Sequence, residues 1–139
     1  MALFRSAPPW HPVRMTDAGV MAVAVFFVAM GAIALVAPER IVAPFGTAGL
    51  TADGRNEVRA VYGGFGVAIG VLLVVALGHP ALRSGVFVTV ATALAGMAGG
   101  RLVAAGVERP ARFYPCWFYA VVEAVMAALL LAAVWRPGG

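Results

Sequence analysis

The chain has 139 residues, of which 63% are hydrophobic and only 12% are charged, with a mean hydropathy of +0.94. A soluble domain of this size needs a more polar surface, so the composition indicates a membrane protein built from spanning segments and short connections. The formal charge of +4 comes from arginines scattered over termini, connections and helix ends, which argues against nucleic-acid binding and favours contact with lipid headgroups.

A short lead-in, residues 1–15, precedes the first apolar stretch. It combines Phe4 and Trp10 with basic side chains, which is typical of a segment along a membrane surface or of a loosely docked tail, and we favour the tail. The first predicted span, about residues 17–37, starts at the capping pair Thr16 and Asp17. Its apolar run of about 20 residues exceeds the ~7–15 of a signal-peptide core, so we expect a retained helix.

Three further spans are predicted, at about residues 56–78, 85–106 and 113–135. Each has the ~20 residues that cross a ~30 Å hydrocarbon core, and only a helix satisfies its own backbone hydrogen bonds there. Connections are marked by Pro44-Phe45-Gly46, by Gly78-His79-Pro80, and by Pro110 and Pro115. We therefore predict an all-α integral membrane four-helix bundle, with residues 1–139 forming a single domain.

Four spans place both chain termini on the same side of the membrane. Arginines near the termini and in the turn after the second span are balanced by equal numbers in the other connections, so the orientation stays open.

Motifs for metal or cofactor chemistry are missing from the sequence. The single cysteine, Cys116, cannot form an internal disulfide, and no Cys/His set has zinc spacing. No phosphate loop or nucleophile elbow is present either. We expect no metal and no cofactor.

Two ionisable residues, Arg101 and Glu123, lie well inside predicted spans, where a charge is costly and marks a candidate functional site. Connectivity places the start of the second span, the end of the third and the start of the fourth at the same end of the bundle. On the fourth helix, Tyr119, Glu123 and Met126 share one face. Arg101 can approach Glu123 across this end, and Arg59 is the alternative partner.

This polar cluster has two main interpretations. In one, Arg101 and Glu123 neutralise each other and fix the helix register. In the other, they line a cavity open to one membrane face, where tyrosines and the carboxylate bind the polar group of a small amphipathic or lipid-like molecule. Proton or ion handling by Glu123 is a third interpretation, but it needs a polar chain to the other face, and the fourth span beyond Met126 contains only alanine, leucine and valine.

Small residues form stripes on two of the predicted helices, and we expect them to be packing grooves rather than a ligand path. The stripes are Gly63, Gly66 and Gly70 on the second span, and Thr89, Ala93, Gly96 and Gly100 on the third.

The ten residues from Arg55 to Gly64, Arg-Asn-Glu-Val-Arg-Ala-Val-Tyr-Gly-Gly, carry a family resemblance. They resemble the start of the second helix in domain of unknown function 4345, a family of small bacterial four-helix membrane proteins. Arg101 and Glu123 match the family's arginine and glutamate in its last two helices. The resemblance implies a four-helix bundle in a bacterial cytoplasmic membrane, with no assigned activity. It also implies a polar site built from Glu57, Arg59, Tyr62, Arg101 and Glu123.

A short internal similarity is also present. Glu39-Arg40 with Ala43 and Phe45 after the first span resembles Glu108-Arg109 with Ala111 and Phe113 after the third. Two related helical hairpins would explain it.

From these observations we expect a non-enzymatic membrane protein that binds a hydrophobic or amphipathic ligand. The candidate binding residues are Glu57, Arg59, Tyr62, Arg101, Tyr119 and Glu123. The alternative is an accessory subunit that packs, as a homo-oligomer or in a larger membrane complex, through its glycine-rich faces. A lipid- or isoprenoid-modifying enzyme, with Glu123 as general acid or base, is the third hypothesis.

Overall fold

The computed structural model describes residues 15–47, 49–108 and 112–135, so residues 1–14 of the predicted lead-in lie outside it. Within these ranges the chain forms helices and no strand. The helices are α1 (Met15–Val36), α2 (Pro38–Val42), α3 (Ala52–Gly78), α4 (Pro80–Glu108) and α5 (Cys116–Val134). All except the short α2 are long and apolar enough to span a membrane. The predicted all-α bundle with four long apolar helices is confirmed.

The starts of the long helices differ from the hydropathy prediction: α3 and α4 start four and five residues earlier, α1 is already helical at Met15, and α5 starts three residues later, at Cys116. α3 begins at Ala52 because the Thr51 side chain caps it, accepting a 3.1 Å hydrogen bond from the Gly54 amide. α4 begins at Pro80, whose fixed φ and missing N–H suit the first helical position. Hydropathy locates the hydrocarbon core of a span, so it misses first turns that extend beyond that core.

The connection after α1 is more regular than the sequence predicts. It contains α2 and a 3-10 turn, Ala43–Phe45, which ends at Gly46 with φ of 79°. Glycine is the residue that adopts this left-handed conformation without strain. The turn directs Phe45 back toward the bundle, where it becomes part of the candidate site.

α1 and α3 pack closely through glycines, as the sequence predicts for α3. A Cβ atom added to Gly70 would lie 2.6 Å from Val28 Cγ2, and one added to Gly63 would lie 2.7 Å from Leu35 Cδ2. A Cβ atom on Gly31 would lie 2.8 Å from the Gly63 carbonyl oxygen. Only glycine allows this separation of the two backbones.

The small-residue stripe of α4 has no such partner within the described chain. A Cβ atom added to Gly96 or Gly100 would meet no other atom within 4 Å. The prediction of a filled packing groove is therefore wrong for α4, because this face points away from the bundle.

The four long helices alternate in direction. An ion pair between Asp17 and Arg83 joins the start of α1 to the start of α4. At the opposite end, Arg59 of α3 donates a 3.0 Å hydrogen bond to the Leu35 carbonyl near the end of α1. α4 and α5 form the second closely packed hairpin.

The hydrophobic core lies in the half of the bundle that contains the start of α1. Its fully buried side chains include Val20, Val23, Leu73, Phe87 and Leu130. The other half contains the ends of α1 and α4 and the starts of α3 and α5, and a cavity occupies it. One half of the interior is thus closely packed, and the other half, which we call the hollow half, combines a smaller buried cluster of Ala34, Ile41 and Val58 with the cavity.

Candidate functional site

The cavity is built around an ion pair between Arg101 of α4 and Glu123 of α5. Arg101 Nε donates to both carboxylate oxygens of Glu123, at 3.1 and 2.9 Å, and Nη2 donates to Oε1 at 2.8 Å. The Glu123 side chain is only 5% exposed, against 25% for Arg101. The planar guanidinium therefore holds the buried carboxylate in a fixed orientation.

Both charges lie at similar depth. Arg101 precedes the last residue of α4, Glu108, by seven positions, and Glu123 follows the first residue of α5, Cys116, by seven positions. At 1.5 Å per residue each charge is about 10 Å from its helix end. Because α4 and α5 are antiparallel neighbours, equal distances from these two helix ends place the Arg101 and Glu123 side chains next to each other.

The cavity beside this pair has a volume of about 270 Å³. Side chains from all five helices and from the 3-10 turn line it, and most of them are apolar or aromatic. The principal lining residues are Phe26, Phe27 and Met30 of α1, Phe45 of the turn, Tyr62 and Phe65 of α3, Met97 and Arg101 of α4, and Tyr119, Val122, Glu123 and Met126 of α5. An apolar cavity with a few convergent polar groups is the usual form of a small-molecule site.

Two stacked aromatic rings lie next to the guanidinium. The rings of Phe45 and Tyr119 are 5.8 Å apart between centroids and inclined by 27°. Arg101 Cζ is 5.9 Å from the Phe45 centroid and 5.4 Å from the Tyr119 centroid. Cation–π attraction thus adds to the ion pair in holding Arg101 in place.

Tyr62 reaches the cavity from an irregular part of α3. Residues Arg59–Gly64 form a π-helical segment, with ordinary α-helix before and after it. Such wide turns are rare and occur often at functional sites. The Tyr62 side chain lines the cavity, and its hydroxyl makes no hydrogen bond to the described residues.

Four of the six sequence-predicted site residues line the cavity: Tyr62, Arg101, Tyr119 and Glu123. Glu57 and Arg59 lie outside it. Glu57 is exposed, and Arg59 caps the end of α1 through the Leu35 carbonyl. Between the two partners considered for Glu123, the structure pairs it with Arg101.

The apolar part of the cavity escaped the sequence analysis. Phe45, Phe65 and Met97 resemble ordinary lipid-facing or loop residues in the sequence, and only the packing of the helices brings them together. A signal was present in Phe45, an aromatic residue within a Pro-Phe-Gly turn at the same end of the bundle.

Within the part of the chain that the structure describes, no three His, Cys, Asp or Glu side chains come close enough to hold a metal ion. The polar chemistry of the cavity is that of a guanidinium, a carboxylate and phenol groups.

Comparison with known proteins gives one match. The model of a family described as Domain of unknown function (DUF4345) matches residues 15–134, which include all the long helices and every cavity residue. No curated protein and no solved structure matches the chain.

Proposed function

The chain belongs to the DUF4345 family, and because the family description assigns no activity, we propose from the geometry alone that it is a small multi-pass membrane protein that binds a hydrophobic or amphipathic molecule. The bound molecule lies in the cavity between the helices, with its polar group at Arg101 and Glu123. Tyr62 and Tyr119 shape the polar end, and the aromatic and methionine side chains surround the apolar part.

The observation that carries this proposal is the cavity of about 270 Å³ directly beside a satisfied ion pair. A pair that served only to fix the helix register would be expected to pack against other side chains without a void. An apolar cavity left empty forfeits the contacts that its lining side chains would otherwise make. An occupant would restore those contacts.

Binding is favoured over catalysis by the state of Glu123. Both of its oxygens accept hydrogen bonds from Arg101, and its side chain is almost completely buried. The carboxylate is therefore engaged by the protein itself rather than presented to a substrate as an acid or base.

The proposal includes a location, a bacterial cytoplasmic membrane with both termini on the same side. Four apolar helices support a multi-pass protein, and an even number of spans supports equal sidedness. The bacterial membrane rests on the family resemblance.

A pair of neighbouring valines on α5 allows a direct test. Val122 lines the cavity, whereas Val121 is 54% exposed on the outer face of the same helix. Val122→Phe fills the cavity and keeps the ion pair, and Val121→Phe adds the same ring outside. Native mass spectrometry after gentle extraction should show a bound small molecule in the wild type and in Val121→Phe, and not in Val122→Phe. A wild-type chain without any bound molecule contradicts the proposal.

An accessory role is the second candidate, and the unfilled face of α4 favours it. Gly96 and Gly100 are exposed and have room for a neighbouring helix. Gly96→Leu should release a co-purifying membrane partner if one exists. Gly66 is unsuitable for this test, because its Cβ would lie 3.4 Å from the Phe27 carbonyl oxygen inside the bundle.

A further inference from the structure

We propose that the occupant is a neutral, single-chain lipid-like molecule whose hydrogen-bond acceptor, a carbonyl or hydroxyl oxygen, contacts Nη1 of Arg101, and whose chain leaves through an opening between α3 and α4. This inference rests on the proposed function and specifies the class of ligand and its path.

The first step concerns the hydrogen-bond donors of Arg101. Its contacts with Glu123 use Nε and Nη2, and Nη1 has no acceptor within the described chain. No side-chain nitrogen or oxygen that is completely buried there lacks a partner, so Nη1 must be accessible. Two N–H groups therefore remain available for an oxygen atom of a ligand.

The second step concerns charge. Arg101 and Glu123 together carry no net charge, so a neutral acceptor adds none to an apolar cavity. A bound anion would place a second negative charge next to Glu123. A bound cation would place a second positive charge next to the Arg101 guanidinium. Burying an uncompensated charge is costly, whereas a neutral oxygen gains hydrogen bonds from a charged donor.

The third step concerns size. The cavity volume of about 270 Å³ lies just below the ~300–1,000 Å³ of ordinary ligand pockets. It accommodates a polar group with the beginning of one chain, and a two-chain lipid would not fit. The remainder of a long chain must therefore lie outside the cavity.

The fourth step locates the opening. Three cavity-lining residues of α3 and α4 are strongly exposed, Val61 at 49%, Phe65 at 60% and Met97 at 49%. The lining residues of α5 are half-buried or buried, with Met126 at only 7%. This difference places the lateral opening of the cavity between α3 and α4 rather than beside α5. An apolar chain can pass there directly from the bilayer.

The ligand class is tested with three amphiphiles that share one dodecyl-length chain: monododecanoylglycerol, dodecanoate and dodecylammonium. Binding of each to the full chain in micelles is measured by equilibrium dialysis at alkaline pH, where the acid stays ionised. We expect the neutral ester to bind at least about tenfold more tightly than dodecanoate, because the ionised carboxylate would be buried beside Glu123 without a counter-charge of its own. The double variant Arg101→Gln with Glu123→Gln stays neutral overall but lacks the guanidinium donor, and it should bind the ester several-fold more weakly.

The opening is tested with two glycines of α4. Gly100 lies about one turn from Met97 at the edge of the opening, and Gly85 lies far from it near the start of the helix. A Cβ atom at either position would meet no other atom within 4 Å, so the backbone environment at neither position excludes a larger side chain. Gly100→Phe should weaken binding of monododecanoylglycerol several-fold, and Gly85→Phe should leave it unchanged.

The outcomes separate this inference from the proposed function. Tightest binding of either ion, or equal effects of Gly100→Phe and Gly85→Phe, overturns the inference and leaves ligand binding intact. If none of the three amphiphiles binds and the wild-type protein retains no molecule from its membrane, both the inference and the proposed function are overturned.

Discussion

Arg101 and Glu123 illustrate how a membrane protein can keep two charges inside an apolar helix bundle. Each charge alone would be costly at this depth, and the cost is offset by three hydrogen bonds and by the two aromatic rings beside the guanidinium. Because the Glu123 side chain is almost fully buried, its negative charge is stabilised almost entirely by Arg101.

Glu123→Gln should lower thermal stability. The change leaves a guanidinium partly buried without a counter-charge, and we expect a loss of about 2–3 kcal/mol, below the about 3–5 kcal/mol for a fully buried pair because Arg101 is 25% exposed. Thermal unfolding in detergent, followed by circular dichroism, measures it.

Glu57→Gln is the matched control, because Glu57 is an exposed carboxylate on α3 outside the cavity. It should change stability by less than about 0.5 kcal/mol. Equal losses in the two variants would show that the Arg101–Glu123 contact is not a distinctive source of stability.

At the scale of helices, α1 and α3 depend on glycine where their backbones meet. The π-helical segment Arg59–Gly64 lies at this contact, and Gly63 within it packs on Leu35 of α1. The same segment carries Tyr62 toward the cavity. The same six residues therefore contribute both to the packing of α1 on α3 and to the lining of the cavity.

Gly70→Ala should destabilise the bundle. The added methyl group would lie 2.6 Å from Val28 Cγ2 and 2.8 Å from the Ala24 carbonyl oxygen, so α1 and α3 must separate. We expect a loss of about 1–3 kcal/mol, typical of overpacking. Unfolding in mixed micelles by titration with a denaturing detergent gives the change.

Gly99→Ala on α4 is the control for this experiment. A Cβ atom there would have no neighbour within 4 Å, so only helix propensity acts, and that slightly favours alanine. Similar destabilisation by both changes would contradict close packing at Gly70.

The four long helices could be predicted from the sequence. The charged part of the candidate site could be predicted as well. Long apolar runs specify spans, and a charge within such a run, as at Arg101 or Glu123, stands out without any structure. The positions of Phe45 and Met97 could not be predicted, because they depend on the rotation of each helix and on the path of a loop. The π-helical segment also shifts the register of α3, which an ordinary 3.6-residue period does not anticipate.

At the scale of the whole molecule, the bundle has a packed half and a hollow half. The packed half contains the starts of α1 and α4 and is tied by the Asp17–Arg83 pair. The hollow half is bordered by the more elaborate connections, including α2 and the Phe45 turn. The helices are thus held together mainly in the packed half, which leaves room for a cavity in the other.

Labelling of Cys116 should reveal the sidedness of the hollow half. Cys116 is the single cysteine and lies at the start of α5, at the same end as the cavity. His79 is exposed in the turn at the opposite end. We expect a membrane-impermeant maleimide to label Cys116 from one side of the membrane, and His79→Cys in a Cys116→Ser background from the other. Labelling of both from the same side contradicts the alternating arrangement.

The ion pair also has a consequence for how the protein is made. Arg101 and Glu123 lie on consecutive helices, so the ribosome delivers the positive charge before its partner. A charge at the centre of a helix adds about 2.5–3.5 kcal/mol to the free energy of release from the translocon into lipid, and Arg101, closer to one helix end, should add less. We expect α4 to remain beside the translocon until α5 emerges, after which both leave together with Arg101 and Glu123 paired. The contact between Arg101 and Glu123 would then also set the order in which these two helices enter the membrane.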